Sequence, residues 1–309
     1  MKRSDLKVLF DHSERLKIVN PEYCNYLDDF FGSEMALDLG DDGDVTTEAL
    51  FGSEKRPIKG EIIAKAAGCL AGLEEVRYFL KDFELESNFS DGDHCEIGDT
   101  VLSLYDSVQN VLAAERLALN VLMRMSGIAT LTEKAVNLVA NKNVIVLPTR
   151  KTLWRLLDKK AVSIGGGGTH RLGLHDAILS KDTHKDLLNG DFNLMLLKLM
   201  HFSNSKVIEI EVENLAELRK LADAYQMLGL KHSLVVMLDN FDIAELKEAT
   251  TWLESLPAAL RSCFVVEASG GVKLSNLKKI ASTGVDAVSM SFLTMEAQPL
   301  DMSLKIKKA

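Results

Sequence analysis

The sequence lacks several features that would place it in well-known classes of protein. None of its apolar runs approaches the ~18 residues that a membrane-spanning helix needs. Its four cysteines, Cys24, Cys69, Cys95 and Cys263, include no CxxC pair, which argues against a zinc site or a disulfide framework. The first residues carry charges throughout and lack the apolar segment of a secretory signal. We therefore expect a cytoplasmic protein with reduced thiols.

The chain also lacks an excess of basic residues and the common phosphate-binding motifs. It has 36 Lys and Arg against 45 Asp and Glu, a net charge of -9. This balance excludes a protein whose whole surface binds nucleic acid or anionic lipid, but it allows a local basic pocket. Neither GxGxxG after a first strand nor GxxxxGK[ST] occurs. We expect small-molecule substrates, and no nucleic-acid or membrane partner.

The two halves of the chain have different patterns. Residues 1 to about 110 mix helical segments, such as "PEYCNYLDDFF" and "LEEVRYFLKDF", with the strand-like "KGEIIAKAAGCLAG", which suggests a compact α+β module. A long helix is predicted over about 108–140. From 144 onward, short apolar runs alternate with helical segments, which predicts βα units and a parallel sheet. Six or seven such units favour a barrel over an open sheet. The runs are "VIVLPTRK", "AVSIGGGGTHR", "DAILSKD", "KVIEIEVEN", "SLVVMLDN", "CFVVEASGG" and "GVDAVSMS".

Chemically useful side chains are concentrated at the ends of these runs, where a βα-barrel builds its active site. The early runs end in cations and the later runs in carboxylates, followed by small hydrogen-bonding residues. The cations are Arg150, Lys151, His170, Arg171 and Lys181. The carboxylates are Glu209, Glu211, Glu213, Asp239 and Glu267, and the small residues are Ser269, Gly270, Gly271, Ser289 and Ser291.

Each group has both a functional and a structural explanation. Cations bind a polyanion, carboxylates bind magnesium or stabilise a developing cation, and small residues with free N–H groups bind phosphate. Taken alone, Asp239-Asn240 is better explained as a helix N-cap, and Ser269-Gly270-Gly271 could be a simple turn. Their repetition at successive strand ends favours function. Ribosyl transfer from a phosphorylated sugar pyrophosphate to an anionic acceptor needs all three groups.

The order of these motifs resembles the nicotinate-nucleotide pyrophosphorylase family, also called quinolinate phosphoribosyltransferase. Matching segments occur in the family's order from residue 43 to about 304. They are "GDVTTEAL", "AAERLALNVLMRMSGIATLT", "TRKT", "GGGGTHRLGLHDAILSKDTH", "IEIEVEN", "MLDNF", "VEASGG" and "GVDAVSMSFLT".

The resemblance implies a fold, a reaction and an assembly. The fold is α/β: an N-terminal open-faced α/β sandwich over 1–115, with the tail 295–309 packed on it, and an incomplete α/β barrel of six or seven strands over 116–294. The reaction joins quinolinate to phosphoribosyl pyrophosphate with Mg2+, giving nicotinate mononucleotide, carbon dioxide and pyrophosphate. The assembly is a homodimer in which Arg116 reaches the neighbouring subunit's site. Whether dimers assemble into higher oligomers is left undecided.

The resemblance also assigns roles to the residues at the strand ends. Binding of quinolinate and pyrophosphate is implied for Arg116, Arg150, Lys151, His170, Arg171 and Lys181. Catalytic roles are implied for Lys151, Glu211 and Asp239, of which the two acids also face the metal. Phosphate binding is implied for Ser269, Gly270, Gly271, Ser289 and Ser291. Whether Glu209 or Glu213 shares the metal with Glu211 stays open.

The sequence departs from the family pattern at a few positions. Thr169 stands where Asn is usual, Ser291 where Gly is usual, and Leu153-Trp154-Arg155 replaces a Pro-Gly. Two alternatives therefore remain: a relative of the same fold that uses another pyridine or anionic acceptor, and a non-catalytic phosphosugar-binding barrel. We expect the tract Gly165–Gly168 to provide space for His170 and Arg171 rather than to bind phosphate.

Overall fold

The computed structural model describes residues 3–202 and 207–307. The chain forms two compact units whose segments interleave along the sequence. We call residues 1–12, 134–155 and 167–296 the barrel unit, and residues 13–133, 156–166 and 297–309 the sheet unit. Among the described residues, no helix is both long and apolar enough to cross a membrane.

Helices and strands follow one another along the whole described chain. The helices are α1 (Arg3–Phe10), α2 (Pro21–Leu39), α3 (Val45–Phe51), α4 (Leu73–Phe79), α5 (Val108–Leu138), α6 (Arg155–Ile164), α7 (Asp182–Leu187), α8 (Phe192–His201), α9 (Leu215–Met227), α10 (Ile243–Glu254), α11 (Ala258–Arg261), α12 (Leu274–Ala281) and α13 (Phe292–Met295). The strands are β1 (Pro57–Ala64), β2 (Gly68–Cys69), β3 (Glu84–Glu86), β4 (His94–Cys95), β5 (Thr100–Ser107), β6 (Ile145–Leu147), β7 (Ile178–Ser180), β8 (Ile208–Val212), β9 (Leu234–Asp239), β10 (Phe264–Ser269), β11 (Ala287–Ser289) and β12 (Met302–Lys307).

The sheet unit contains a four-stranded antiparallel sheet in the order β12-β1-β5-β3. Burial alternates along β1, so one face of this strand packs on the core while the other is partly exposed. The C-terminal strand β12 pairs with β1 from Lys59↔Lys307 to Ala64↔Met302. Helix α5 runs unbroken through the predicted domain boundary between residues 115 and 116, which remains a prediction.

A buried ion cluster links α2, α4 and α6 within the sheet unit. Lys160 donates to both Glu74 and Glu75, and the Tyr23 hydroxyl donates to Glu75 at 2.8 Å. Burial raises the pKa of Glu75, and the Lys160 charge opposes that rise. Because an unpaired charge inside a protein is costly, this cluster fixes the relative placement of the three helices.

The barrel unit is built on six parallel strands in the order β6-β11-β10-β9-β8-β7. This confirms the predicted incomplete α/β barrel, with six strands in the described residues. Its core is an apolar cluster in which Val235, Val265 and Ala287 meet Leu6 and Phe10 of α1. Residues two positions further along these strands therefore also face the interior, because side chains alternate along a strand.

The predicted strand in "AVSIGGGGTHR" is wrong. Its first residues end α6, in which Leu157, Ala161 and Val162 are buried at helical spacing. A short apolar run fits a buried helix as well as a strand, which is why the pattern misled. After α6 the chain has no regular structure until β7, but the Gly168 N–H donates to the Val146 carbonyl of β6 at 2.9 Å. The other six predicted strands are present.

The structural alternative for Asp239-Asn240, a helix N-cap, is not what the structure shows. Helix α10 is capped by Asp242, whose side chain accepts from the Glu245 N–H at 2.8 Å while Glu245 accepts from the Asp242 N–H. This is a capping box, and it satisfies the first free N–H groups of the helix. Asp239 and Asn240 lie before the cap and remain available for another role.

Two helical glycines provide a stability test within the sheet unit. A Cβ on Gly127 of α5 would lie 2.1 Å from the backbone carbonyl oxygen of Gln298, so Gly127→Ala forces the backbone apart. We expect a loss of about 1–3 kcal/mol in the free energy of unfolding, measured by denaturant titration.

The matched control is Gly32→Ala in α2, where an added Cβ would have nothing within 4 Å. There, alanine should stabilise by about 0.5–1 kcal/mol because it restricts the unfolded chain and favours helix. Equal effects of the two changes would contradict the close approach of α5 to the C-terminal segment.

Candidate active site

Most of the predicted site residues of the barrel unit lie at or just beyond the carboxyl ends of its six parallel strands. Alternation along each strand turns one set of side chains inward, above the apolar cluster. On β8, β9 and β10 this set contains carboxylates. The inward residues are Glu209 and Glu211 of β8, Met237 and Asp239 of β9, Glu267 and Ser269 of β10, and Ser289 of β11.

The first layer above the apolar cluster holds two carboxylates and one imidazole. His170 Nε2 lies 3.3 Å from Glu209 Oε2 and 3.4 Å from Glu267 Oε2. All three residues are buried, and the side chain of Glu267 is 0% exposed. Among the described residues, neither oxygen of Glu267 has a hydrogen-bond partner of good geometry. We call these three residues the imidazole cluster.

The protons of the imidazole cluster follow from its hydrogen bonds. The Arg171 backbone N–H donates to His170 Nδ1 at 2.7 Å, which requires a free lone pair there and leaves Nε2 to carry the ring proton. Burial would lower the pKa of His170, but the two carboxylates outweigh burial and raise it. Burial and the Glu267 charge raise the pKa of Glu209 to about 7. Because Nδ1 accepts the Arg171 N–H, Nε2–H is the group of the ring that faces the two carboxylates.

Two predicted cations meet beside this cluster. Arg171 is buried, and burial together with the nearby Arg150 charge lowers its pKa, while Glu209 and Asp176 act in the opposite direction. Its Nε has no hydrogen-bond partner among the described residues. Two guanidinium charges that act on each other in this way favour the binding of an anion beside them.

The carboxylates that follow on β8 each have a different lysine partner. Glu211 is buried, and its Oε2 lies 3.1 Å from Nζ of Lys181, whose side chain is half-exposed. Glu213 lies one residue beyond β8, is exposed, and contacts Lys185 at 2.5 Å. The alternating acids thus separate into the imidazole cluster, the Lys181 pair and the Lys185 pair.

The ends of β9 and β10 are joined by Asn240. This residue has φ +59°, donates from Nδ2 to Asp239 at 2.6 Å and from its backbone N–H to the Ser269 carbonyl at 2.9 Å. A Cβ on Gly270 would lie 2.2 Å from Asn240 Oδ1, and Gly270 and Gly271 have φ +90° and +61°. Glycine is therefore required in this turn by both space and backbone conformation.

The remaining predicted residues lie at the same edge or on another unit. Ser289 ends β11, is buried, and has an Oγ without a partner among the described residues, while Ser291 precedes α13. Lys151 is exposed, and its carbonyl accepts from the Thr294 hydroxyl at 2.6 Å. Arg116 lies on α5 in the sheet unit, with its side chain 62% exposed.

The backbone of the glycine tract is occupied by the protein itself. The N–H groups of Gly165, Gly166 and Gly168 donate to carbonyls at 2.9–3.0 Å. A Cβ on Gly168 would lie 2.9 Å from the Phe10 carbonyl. These contacts fit a role in close backbone approach rather than in phosphate binding. The residue that follows, Thr169, accepts from the His12 N–H at 2.9 Å.

Sequence reasoning placed Glu209 and Glu267 at strand ends but assigned neither a role. The signal was a carboxylate at an inward position of an otherwise apolar strand, such as "FVVEAS". Among the described residues this is also the one cluster of three or more potential metal ligands, with ligand atoms within 4.8 Å of one another. The proton on Nε2 blocks the nitrogen that a metal would need.

The arrangement combines three chemical abilities at one edge of one sheet. Arg150 and Arg171 attract an anion with planar oxygen pairs, such as a carboxylate. Glu211 and Asp239 are hard oxygen donors that suit magnesium or a developing positive charge. The Gly270-Gly271 turn has two positive φ angles, and turns of this kind can bind a phosphate through backbone N–H groups.

Comparisons with known proteins agree with this arrangement. Residues 44–126 and 128–305 match the family models described as the quinolinate phosphoribosyl transferase N-terminal and C-terminal domains. A probable nicotinate-nucleotide pyrophosphorylase (carboxylating) of Methanothermobacter thermautotrophicus is 35% identical over 270 residues, which cover 85% of this chain and 93% of that one. One from Methanocaldococcus jannaschii is 36% identical over 270 residues, covering 85% and 92%.

A solved structure gives the same result. The nicotinate-nucleotide pyrophosphorylase of Ehrlichia chaffeensis superposes with a TM-score of 0.79 at 30% identity, covering 91% of this chain and 98% of that one. The family models together cover parts of both compact units and every predicted site residue. The chain belongs to the quinolinate phosphoribosyl transferase family.

Proposed function

We propose that this protein transfers the phosphoribosyl group of phosphoribosyl pyrophosphate to quinolinate and releases carbon dioxide and pyrophosphate. The product, nicotinate mononucleotide, is a precursor of NAD. The observation that carries the proposal is the meeting of the Arg150 and Arg171 cations with the Lys181–Glu211 pair at one sheet edge, in a chain of this family.

Quinolinate enters as a dianion and meets the basic residues. Arg150, Lys151, Arg171 and Lys181 bind its two carboxylates and the pyrophosphate, since guanidinium groups grip carboxylates through paired hydrogen bonds. His170 is assigned to the same group. Its ring, however, faces Glu209 and Glu267 and its Nδ1 is occupied by the Arg171 N–H, so its contribution passes through the backbone of Arg171.

Ribosyl transfer forms the bond between the ring nitrogen of quinolinate and C1 of the sugar while the bond from C1 to pyrophosphate breaks. Positive charge develops on the ribose in between. Glu211 and Asp239 stabilise that charge from fixed positions, because Lys181 and Asn240 hold them. A preorganised charge of this kind lowers the activation barrier by about 2.7–4 kcal/mol.

The carboxylates of Glu211 and Asp239 also fit Mg2+. Both are hard oxygen ligands, and Mg2+ is usually held by one or two carboxylates together with substrate phosphates. When bound, the ion neutralises charge on the departing pyrophosphate. In this proposal Glu211 and Asp239 would hold the ion, and the Lys181 charge would offset the negative charge of Glu211 when the ion is absent.

Decarboxylation follows from the product of the first step. The N-ribosylated ring is a pyridinium, so it accepts the electron pair left at C2 when carbon dioxide departs. A proton then replaces the carboxylate at C2. The protein keeps the remaining carboxylate in place through its cations, and no further functional group is needed.

The 5-phosphate of the sugar is assigned to Ser269, Gly270 and Gly271, with Ser289 and Ser291 beside them. The positive φ of both glycines and the contact of Gly270 with Asn240 hold this turn in one conformation. The unpartnered Ser289 hydroxyl adds a donor. A cytoplasmic location belongs to the same proposal.

A homodimer in which Arg116 completes the neighbouring site is a further part of the proposal. Its support is the resemblance of "ERLALN" to the family's motif, together with a side chain that is 62% exposed. An exposed arginine whose nearest carboxylate, on Glu115, is 4.0 Å away is free to bind an anion on another chain.

The acceptor is tested by direct assay. The protein is incubated with phosphoribosyl pyrophosphate, Mg2+ and quinolinate, nicotinate or nicotinamide in turn, and pyrophosphate and carbon dioxide are measured. We expect both products with quinolinate and neither with the other two. Ribosylation of nicotinate would indicate a relative with another acceptor, and no turnover would indicate a binding protein.

Two substitutions test the assigned roles. Lys151→Ala should raise the KM for quinolinate about tenfold or more through loss of a charge-assisted hydrogen bond, whereas Lys142→Ala, before β6, should change nothing.

Glu211→Ala should lower kcat by about 10²–10³, with Glu213→Ala as its neighbour control. Unchanged kcat in Glu211→Ala would remove that role.

The shared site is tested by mixing two inactive variants. Arg116→Ala and Glu211→Ala subunits, dissociated and reassembled together, should recover about a quarter of wild-type activity, because half of the dimers then contain one intact site. Native mass spectrometry checks that mixed dimers have formed. Mixed dimers without activity would show that Arg116 acts within its own subunit or not at all.

A further inference from the structure

The imidazole cluster has a physical cost that packing does not explain. Glu209 and Glu267 bring two carboxylates into the barrel interior, where apolar residues of similar volume are often neutral or stabilising. One imidazole nitrogen faces both carboxylates, at 3.3 and 3.4 Å, and neither oxygen of Glu267 has a hydrogen-bond partner of good geometry among the described residues. If these positions served only to fill the core, apolar residues there would make the folded barrel equally or more stable.

The cluster is connected to the binding edge through one backbone segment. His170 has φ +52°, a conformation that a residue with a Cβ adopts only when its surroundings enforce it. Its N–H donates to the Phe10 carbonyl at 2.8 Å, and its ring lies 5.7 Å from that of Phe10. The ring's Nδ1 then accepts the Arg171 N–H at 2.7 Å, so ring and arginine backbone move together.

Segment 167–171 has no strand to hold it. It lies beside β6, to which the Gly168 N–H donates at the Val146 carbonyl. A full strand would fix the following arginine through its ladder of hydrogen bonds. Here the imidazole, held from β8 by Glu209 and from β10 by Glu267, takes over part of that task.

We propose that Glu209 and Glu267 are positioning residues that hold the His170 ring from two strands and thereby fix Arg171 for the carboxylates of the acceptor. Neither acid touches the substrates. The proposal rests on the proposed function, since it takes the acceptor to be a pyridine dicarboxylate. It predicts that loss of either acid weakens acceptor binding without removing any group that contacts the acceptor.

The test uses Glu267→Leu and Glu209→Leu in the full chain. Each should raise the KM for quinolinate about tenfold, change kcat and the KM for phosphoribosyl pyrophosphate less than about twofold, and leave the melting temperature equal or higher. Glu267→Gln keeps an acceptor oxygen and should restore most of the quinolinate affinity. If a leucine variant fails to fold, its glutamine variant gives the same comparison with a smaller change.

The matched control is Met237→Leu, because Met237 faces inward from β9 and pairs in register with Glu267. It disturbs the packing of the same layer and leaves the cluster intact, so all kinetic constants should stay near those of the wild type. The proposal fails if the KM for quinolinate is unchanged in both acid variants. It also fails if kcat, the affinities for both substrates and the melting temperature all fall together, since that would indicate a general loss of structure.

Two further outcomes are informative. A stoichiometric transition metal in the purified protein that is lost in Glu267→Leu would overturn the positioning role in favour of a metal site. Wild-type protein without turnover on quinolinate would refute the proposed function itself, which is a different result from active wild type with unaffected acid variants.

Discussion

The barrel unit depends on a single constraint: a protonated His170 Nε2 between two buried carboxylates of different strands. Glu209 and Glu267 could not both be buried as anions without a partner, because desolvation of an isolated charge exceeds what packing returns. The imidazole supplies the partner. The same ring belongs to the irregular segment after the glycine tract and accepts the Arg171 N–H, so the contact with the two carboxylates and the position of the Arg171 backbone are linked.

From the amino to the carboxyl ends of the strands, the layers of the barrel unit change from apolar to polar and become more exposed. The apolar cluster around Val235 closes the amino end, the imidazole cluster lies above it, and the Lys181–Glu211 pair and Asp239 follow at the carboxyl end. Parallel strands produce this order directly, since every second residue faces inward and every strand ends at the same edge. The predicted catalytic acids thus lie one layer above an imidazole that contacts carboxylates of two strands.

Much of this could be predicted from the sequence, for identifiable reasons. Apolar runs such as "SLVVMLDN" and "CFVVEASGG" are long enough to distinguish strands, and their polar ends predicted the active edge. Helices α2, α5, α9 and α10 had clear periodicity. The failure was local. "AVSI" suits a helix as well as a strand, so the second predicted strand is the end of α6 instead.

The sequence by itself determined the fold class, the strand ends and the residue types at the site, because these follow from periodicity and from the order of motifs. Only the tertiary structure decided which charges meet. Glu209, Glu211 and Glu213 have the same spacing in the chain, yet they contact His170, Lys181 and Lys185 respectively. Their partners lie 28 to 39 residues away, and no local pattern encodes such pairings, since they depend on how neighbouring strands and loops pack.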